Sequence, residues 1–482
     1  MLFSSTLFLF LFLPIVLGVG TLLPKLLRNA WLLLASLLFY AWGEPKLVWV
    51  MLLSIAGNYG FGLWIAQVRG TPAGRWVLGL AVASNLLLLA TFKYAAFATE
   101  NLDLLLRATG LPELPVPEIV MPLGISFFTF HAMSYVIDVH RGDAKVQRNL
   151  LDLALYVTLF PQLIAGPILR YHDVAWQLAG RQLTRAGFAY GIQRFVLGLG
   201  KKVLIANTLA LPCDRIFALP AAELGAGTAW LGIVTYTGQI YFDFSGYSDM
   251  AIGLGHMLGF SFPENFQWPY ASRSVREFWR RWHISLSTWF RDYLYIPLGG
   301  NRGSELRTAS NLMIVFVLCG FWHGAAWTFL AWGLYHGAFL ALERTRWAGW
   351  LELLPRPLQH GYAVLVAMGG WVLFRASDLP HALAYFAALA GQGGAPEAWP
   401  VGQYLTRDVE LGLVAGVIGA APTFDWALAR LRRLATASPW PLRPLAGAFG
   451  PLVATAALLT VLVASSVMLA AQTHNPFIYF RF

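Results

Sequence analysis

Uncharged apolar runs recur along the whole chain, many of them near the length that crosses a bilayer. Met1–Gly20 contains no charged side chain, and neither does 446–471. A helix needs about 20 mainly apolar residues to span the hydrocarbon. Further apolar runs lie near 30–42, 47–67, 76–98, 119–138, 151–168, 188–210, 228–259, 309–322, 326–343, 360–376 and 409–422. Only 12% of the residues are charged, against roughly 25% in a soluble protein. That surface cannot be wetted, which excludes a soluble globular enzyme, a disordered scaffold and a nucleic-acid binder. The expected fold is all-α, a polytopic integral membrane protein. The 20 tryptophans suit the aromatic belts at the two interfaces, and the net charge of +10 is read as Lys and Arg gathered in cytoplasmic loops.

The N-terminal run lacks the basic start of a signal peptide; Lys25 and Arg28 follow it instead. The expectation is an uncleaved first span with an extracytoplasmic N-terminus. Arg430, Arg432, Arg433 and Arg443 precede the last run. They place 446–471 as a final span leading to an extracytoplasmic aromatic tail at 472–482. A polar gap near 391–408 reads as a loop, and no second domain is indicated within 1–482. Gly43-Glu44-Pro45-Lys46, Pro161 and Gly166-Pro167 interrupt apolar runs. Irregular backbone at membrane depth is tolerated only inside protein or around a cavity. Short, tilted or re-entrant helices around an internal chamber are therefore expected.

Three clusters carry candidate chemistry. In Ser274–Gly300, read as one helix, Arg276, Arg280, His283, Ser287 and Arg291 fall within roughly 80° of one another. That basic stripe suits a phosphate-bearing ligand, or an interfacial helix at lipid headgroups. In Cys319–Ala325, His323 sits in an apolar stretch beside Trp322 and Gly324. An ionisable group at membrane depth is a functional candidate, and a neutral imidazole can act as a general base. Gly324 would let a substrate approach the backbone. His336, thirteen residues on, is the weaker candidate and reads mainly as packing. In Tyr241–Gly255, Asp243 and Asp249 are buried carboxylates that need partners, and the arginines of the stripe could supply them. Cys213 and Cys319 lie in apolar stretches and suggest neither a disulfide framework nor a metal site.

The segments FWRRWHISLSTWFRDYLYIPLGGNR, YFDFSGYSDMAIGLG, MPLGISFFTFHAMSYVIDVHRGD, FPQLIAGPILR and FWHGAAWTFLAWGLYHG resemble the membrane-bound O-acyltransferase family, in its bacterial alginate O-acetyltransferase branch. The resemblance runs nearly from end to end. It implies a ring of helices around a funnel, with a catalytic histidine deep inside that maps onto His323. A second polar residue about forty positions earlier maps onto His283. It further implies an acyl-CoA thioester, most simply acetyl-CoA, as co-substrate rather than a bound cofactor. The acceptor would be an extracytoplasmic polysaccharide such as alginate. The partners implied are an extracytoplasmic SGNH-type acetyltransferase with other polysaccharide-modification proteins, in a bacterial inner membrane whose lipids surround the chain. The tail Asn475–Phe480 resembles the C-terminal FxYF motif of the small partner serving the related D-alanylation enzyme, which makes Tyr479 a candidate acyl relay. Broken helices and buried charge pairs leave a small-substrate transporter as the alternative, and a lipid or protein O-acyltransferase as another.

Overall fold

A computed structural model describes residues 1–220, 223–394, 398–423, 426, 430, 443–471 and 475–476, with the backbone alone for 443–449. Among these residues none lies in a strand. Proline and glycine divide the chain as the sequence leads one to expect. Helix α1 (Phe8–Leu22) ends before Pro24, and α2 (Lys25–Ala41) ends before Gly43-Glu44-Pro45; α3 (Val48–Val68) and α4 (Pro72–Thr109) follow. Thr71 caps α4, its hydroxyl accepting from the Gly74 N–H at 3.4 Å. Among the described residues five helices are long and apolar enough to cross a membrane: α3, α4, α9 (Arg185–Phe217), α13 (Glu305–His323) and the last helix from Gly450 to Ala471.

The N-terminal run is not one twenty-residue span. Its helix covers only Phe8–Leu22, about 22 Å at 1.5 Å per residue, short of the roughly 30 Å hydrocarbon. The preceding residues pack inward, with Phe3 stacked on Tyr247 at a centroid distance of 4.6 Å.

Two segments of broken helices have turns on one side of the fold. The first runs from α5 (Ile125–Arg141) through α6 (Leu150–Thr158) and α7 (Phe160–Leu163) to α8 (Tyr171–Gly180). Pro161 and Gly166-Pro167 break it, as their sequence positions indicate. The second follows α10 (Ala226–Met257) and comprises α11 (Val275–Arg281) and α12 (Ile284–Phe290). Cross-contacts tie the turns on this side together: Arg141 donates to the Asp292 carbonyl at 3.1 Å, and Arg181 to Asn29 Oδ1 at 2.6 Å. Arg141, Lys145, Arg148, Arg170, Arg181, Arg185, Arg273 and Arg291 lie on or beside these turns. By contrast, on the other side the connectors at 110–124 and 323–326 contain none, and the one at 42–47 holds only Lys46.

Helices α9 and α10 pack backbone to backbone. A Cβ on Gly198 would lie 2.5 Å from the Gly246 carbonyl oxygen, and one on Gly191 equally 2.5 Å from that of Gly253. Only glycine permits that approach, and it fixes the register of the charged residues on the two helices. Asp249 meets Arg194 Nη2 and Lys201 Nζ, each at 2.7 Å, and Asp243 meets Lys202 Nζ at 2.5 Å. The carboxylates therefore pair with α9 and not with the arginines at 276–291. Burial decides this, because those arginines point outward at the cationic face. After α14 (Trp327–Leu342) come α15 (Trp347–Leu353), α16 (Arg356–Arg375), α17 (Leu379–Leu389), α18 (Arg407–Gly419) and α19 (Arg443–Ala471). Beyond it Asn475 donates to the Ser4 carbonyl at 2.7 Å.

Candidate active site

His323 is the last residue of α13, 8% exposed. Trp322, Trp332 and Phe374 surround its ring at centroid distances of 5.0, 5.2 and 5.2 Å. The connection from α13 to α14 is tight. A Cβ on Gly320 would sit 2.2 Å from the Phe329 carbonyl oxygen, and one on Gly324 only 2.1 Å from the Phe329 ring. Gly324 thus makes room for Phe329, not for a substrate as its position in the sequence suggested.

His323 and Trp322 line a chamber of about 240 Å³ together with Lys93, Ser126, Ile164 and Glu44. Ile164 follows the end of α7, and Ser126 comes from the start of α5. Lys93, in the middle of α4, donates through Nζ to the carbonyls of Trp322 at 2.6 Å and His323 at 2.9 Å. These are carbonyls that the end of a helix leaves without an intrahelical partner. Among the described residues neither ring nitrogen of His323 is hydrogen-bonded. Trp322 in turn stacks on Phe130 at 5.2 Å, and Phe130 on Trp289 at 3.7 Å, which holds the chamber wall against α12.

His283 does not lie on a continuous helix. Helix α11 ends at Arg281, and His283 is left-handed at φ 46°, ψ 53° before α12 begins. A non-glycine residue there costs about 1–2 kcal/mol, so its surroundings must impose it. Asn265 does so. Its carbonyl accepts from the Ile284 N–H at 3.0 Å, and its Oδ1 accepts from the Ser285 N–H and hydroxyl at 3.2 and 2.9 Å. The same Oδ1 lies 3.1 Å from His283 Nδ1. Because a backbone N–H must meet an acceptor, this atom is the amide oxygen and not the nitrogen. Nδ1 therefore carries the proton, and Nε2 keeps a lone pair. The amide nitrogen of Asn265 donates to Ser248 at 3.0 Å. His283 is fully buried, edge-on to Phe244 at 4.6 Å.

The expected basic stripe is broken at this turn. Arg276, Arg280 and Arg291 are exposed at the cationic face. Arg276 donates to the Glu343 carbonyl at 2.6 Å, and Arg291 pairs with Asp292 at 2.7 Å. Ser287 donates to the Trp279 carbonyl at 3.4 Å. Of the stripe, only His283 is turned into the core between the two short helices. Asp243 and Asp249 stay in their α9 ion pairs. His336 is buried outside the chamber, between Trp279 and Trp332 at 5.0 and 5.1 Å, where a Cβ on Gly370 would touch its ring at 2.2 Å. Cys213 and Cys319 are free and buried. Tyr479 lies outside the described residues. The two tail residues that are described are half-buried against α9: Asn207 donates to Asn475 Oδ1 at 3.2 Å, and Lys202 donates to the Pro476 carbonyl.

Lys93 and Asn265 escaped the sequence reading. A lone lysine in the apolar run 76–98 is a signal, since ionisable groups at membrane depth are costly. Asn265 stands in a polar connector and carried none.

Residues 83–348 match the model of the membrane-bound O-acyltransferase family. Over the full length of both chains the sequence is 44% identical to a probable alginate O-acetylase AlgI of Azotobacter vinelandii. It is 45% identical to one of Pseudomonas putida, again over the whole of both. A peptidoglycan O-acetyltransferase of Helicobacter pylori is 35% identical over 88% of this chain and 87% of its own.

Proposed function

The chain belongs to the membrane-bound O-acyltransferase family and is an O-acyltransferase, and we propose that the acyl group is acetyl, taken from cytoplasmic acetyl-CoA and passed outward to a polysaccharide. The observation that carries this reading is His323 at the wall of a chamber, its ring nitrogens without a hydrogen bond among the described residues and its backbone pinned by Lys93. Acyl transfer needs a base placed where an acceptor hydroxyl can meet a thioester. His323 takes the hydroxyl proton as that oxygen attacks the thioester carbonyl. The C–S bond then breaks, and the leaving thiolate receives the proton back from the imidazolium. His283, with Nδ1 protonated and a lone pair on Nε2, orients a reacting group from the buried side.

Orientation follows from charge. Cation-rich turns favour the cytoplasm, so the side bearing Arg141, Arg181 and Arg291 faces the donor, whose phosphates those cations suit. The chamber's Glu44 belongs to the connector on the opposite, extracytoplasmic side. Both termini then lie outward, a reading supported by the bond between Asn475 and Ser4. The membrane is the bacterial inner membrane. Acetyl crosses it while coenzyme A stays in the cytoplasm. Tyr479 serves as a transient acetyl ester; support comes from the resemblance of its motif and from the contacts of Asn475 and Pro476 with α9. An SGNH-type transferase completes delivery outside. Alginate is the favoured acceptor, because the alginate relatives match end to end and at higher identity than the peptidoglycan one. The transporter reading gives way to acyl transfer on the family assignment.

The test is the ester content of secreted polymer in cells deleted for this chain and then complemented. Acetyl ester that disappears and returns, with polymer yield constant, fits the proposal. Loss of polymer itself contradicts it.

A further inference from the structure

A second cavity, of about 540 Å³, opens at the cationic face between α1, α2, the start of α6 and the ends of α8 and α10. One wall is apolar, with Val16, Leu26 and Leu178. Lys25, Arg28 and Arg181 converge on the other. None of the three forms an ion pair among the described residues. Arg28 donates to the Leu23 carbonyl at 3.1 Å, and Arg181 to the Leu258 carbonyl at 3.2 Å. The single carboxylate lining the groove, Asp152, is engaged by the amides of Asn29 and Asn149 at 2.7 and 3.0 Å. Three cations thus face one carboxylate. Burial and the like charge of Arg28 lower the pKa of Arg181 to about 10.

We infer that this groove binds the phosphate of an anionic phospholipid, with the acyl chains lying along α1 and α2. Charge complementarity asks for the phosphate. The apolar wall asks for a lipid, since it continues onto outward faces where Leu22 and Leu26 are 86% and 90% exposed. A soluble phosphate compound would use the cations and leave the wall unmatched. Basic pockets between helices at the cytoplasmic leaflet hold headgroups by this combination. The inference is independent of the acyl-transfer chemistry.

The experiment is thermal unfolding of the purified full-length chain in detergent, titrated with dioleoyl phosphatidylglycerol or dioleoyl phosphatidylcholine. Phosphatidylglycerol should raise the midpoint more than phosphatidylcholine does. A Lys25→Gln/Arg28→Gln variant should need about 30-fold more of it for the same rise, from about 1 kcal/mol for each cation removed. Equal effects of the two lipids, or a variant that keeps the wild-type response, overturn the inference. So does an equal rise from coenzyme A that the variant loses, which would give the site to a soluble phosphate. Should the variant not fold, mass spectrometry of lipid retained by the wild-type chain decides. Enrichment of phosphatidylglycerol over its share of the membrane supports the site, and retention in membrane proportion contradicts it.

Discussion

Lys93 reaches across from α4 to hold the carbonyl of His323, 2.9 Å from its Nζ, and that of Trp322 at 2.6 Å. The position of the imidazole therefore depends on a lysine amine more than two hundred residues away in sequence. A hydrogen bond contributes about 0.5–1.5 kcal/mol. Lys93→Met should lower acyl transfer about 10- to 100-fold, because a small misplacement of a base is costly, while membrane insertion stays normal. Transfer rates on equal amounts of inserted protein check this.

Asn265 and His283 should act as one unit. If His283 takes part in proton transfer, His283→Ala costs about 10²- to 10⁴-fold. Asn265→Ala frees both the tautomer and the left-handed turn, and should reproduce most of that loss. The double variant should be little worse than His283→Ala, since residues in one network are not additive. Additive losses would separate the two.

The contact of α9 with α10 predicts a stability defect with a different signature. Gly198→Val places side-chain atoms where the Gly246 carbonyl already lies. Overpacking of this kind costs about 1–3 kcal/mol. The thermal midpoint in detergent should fall, and Gly191→Val should behave alike.

At the cationic face His172 makes stability depend on pH. Its bond to Asp138 at 2.9 Å, then that to Asp173, raise the imidazole pKa to about 9 against the effect of burial. A pKa raised by folding contributes fully below the unfolded value of about 6.5 and is lost as pH climbs through about 9. The midpoint should decline across that window, and His172→Gln should flatten the decline.

Much of this was legible in the sequence. Pro161, Gly166-Pro167 and Gly43-Glu44-Pro45 mark breaks that the helices obey, because proline removes a donor wherever it stands. His323 stood out as an imidazole among apolar neighbours. The turn at His283 was not legible. FWRRWHISLSTWF has helical spacing throughout, and only Asn265, from a separate connector, forces a left-handed residue into it. The partners of Asp243 and Asp249 were misjudged for a related reason. Nearby arginines looked available in sequence, whereas glycines at 191, 198, 246 and 253 bring α9 close enough to supply Arg194, Lys201 and Lys202. Such pairings depend on tertiary approach, which periodicity does not encode.

The central claim is that His323 is the base of acyl transfer. The most direct test is the acetyl content of polysaccharide from cells carrying His323→Ala, with insertion of the variant verified at the wild-type level. Loss of acetyl with normal polymer yield is the predicted result. Acetylation retained at the wild-type level would contradict it and leave His323 a packing residue at the end of its helix.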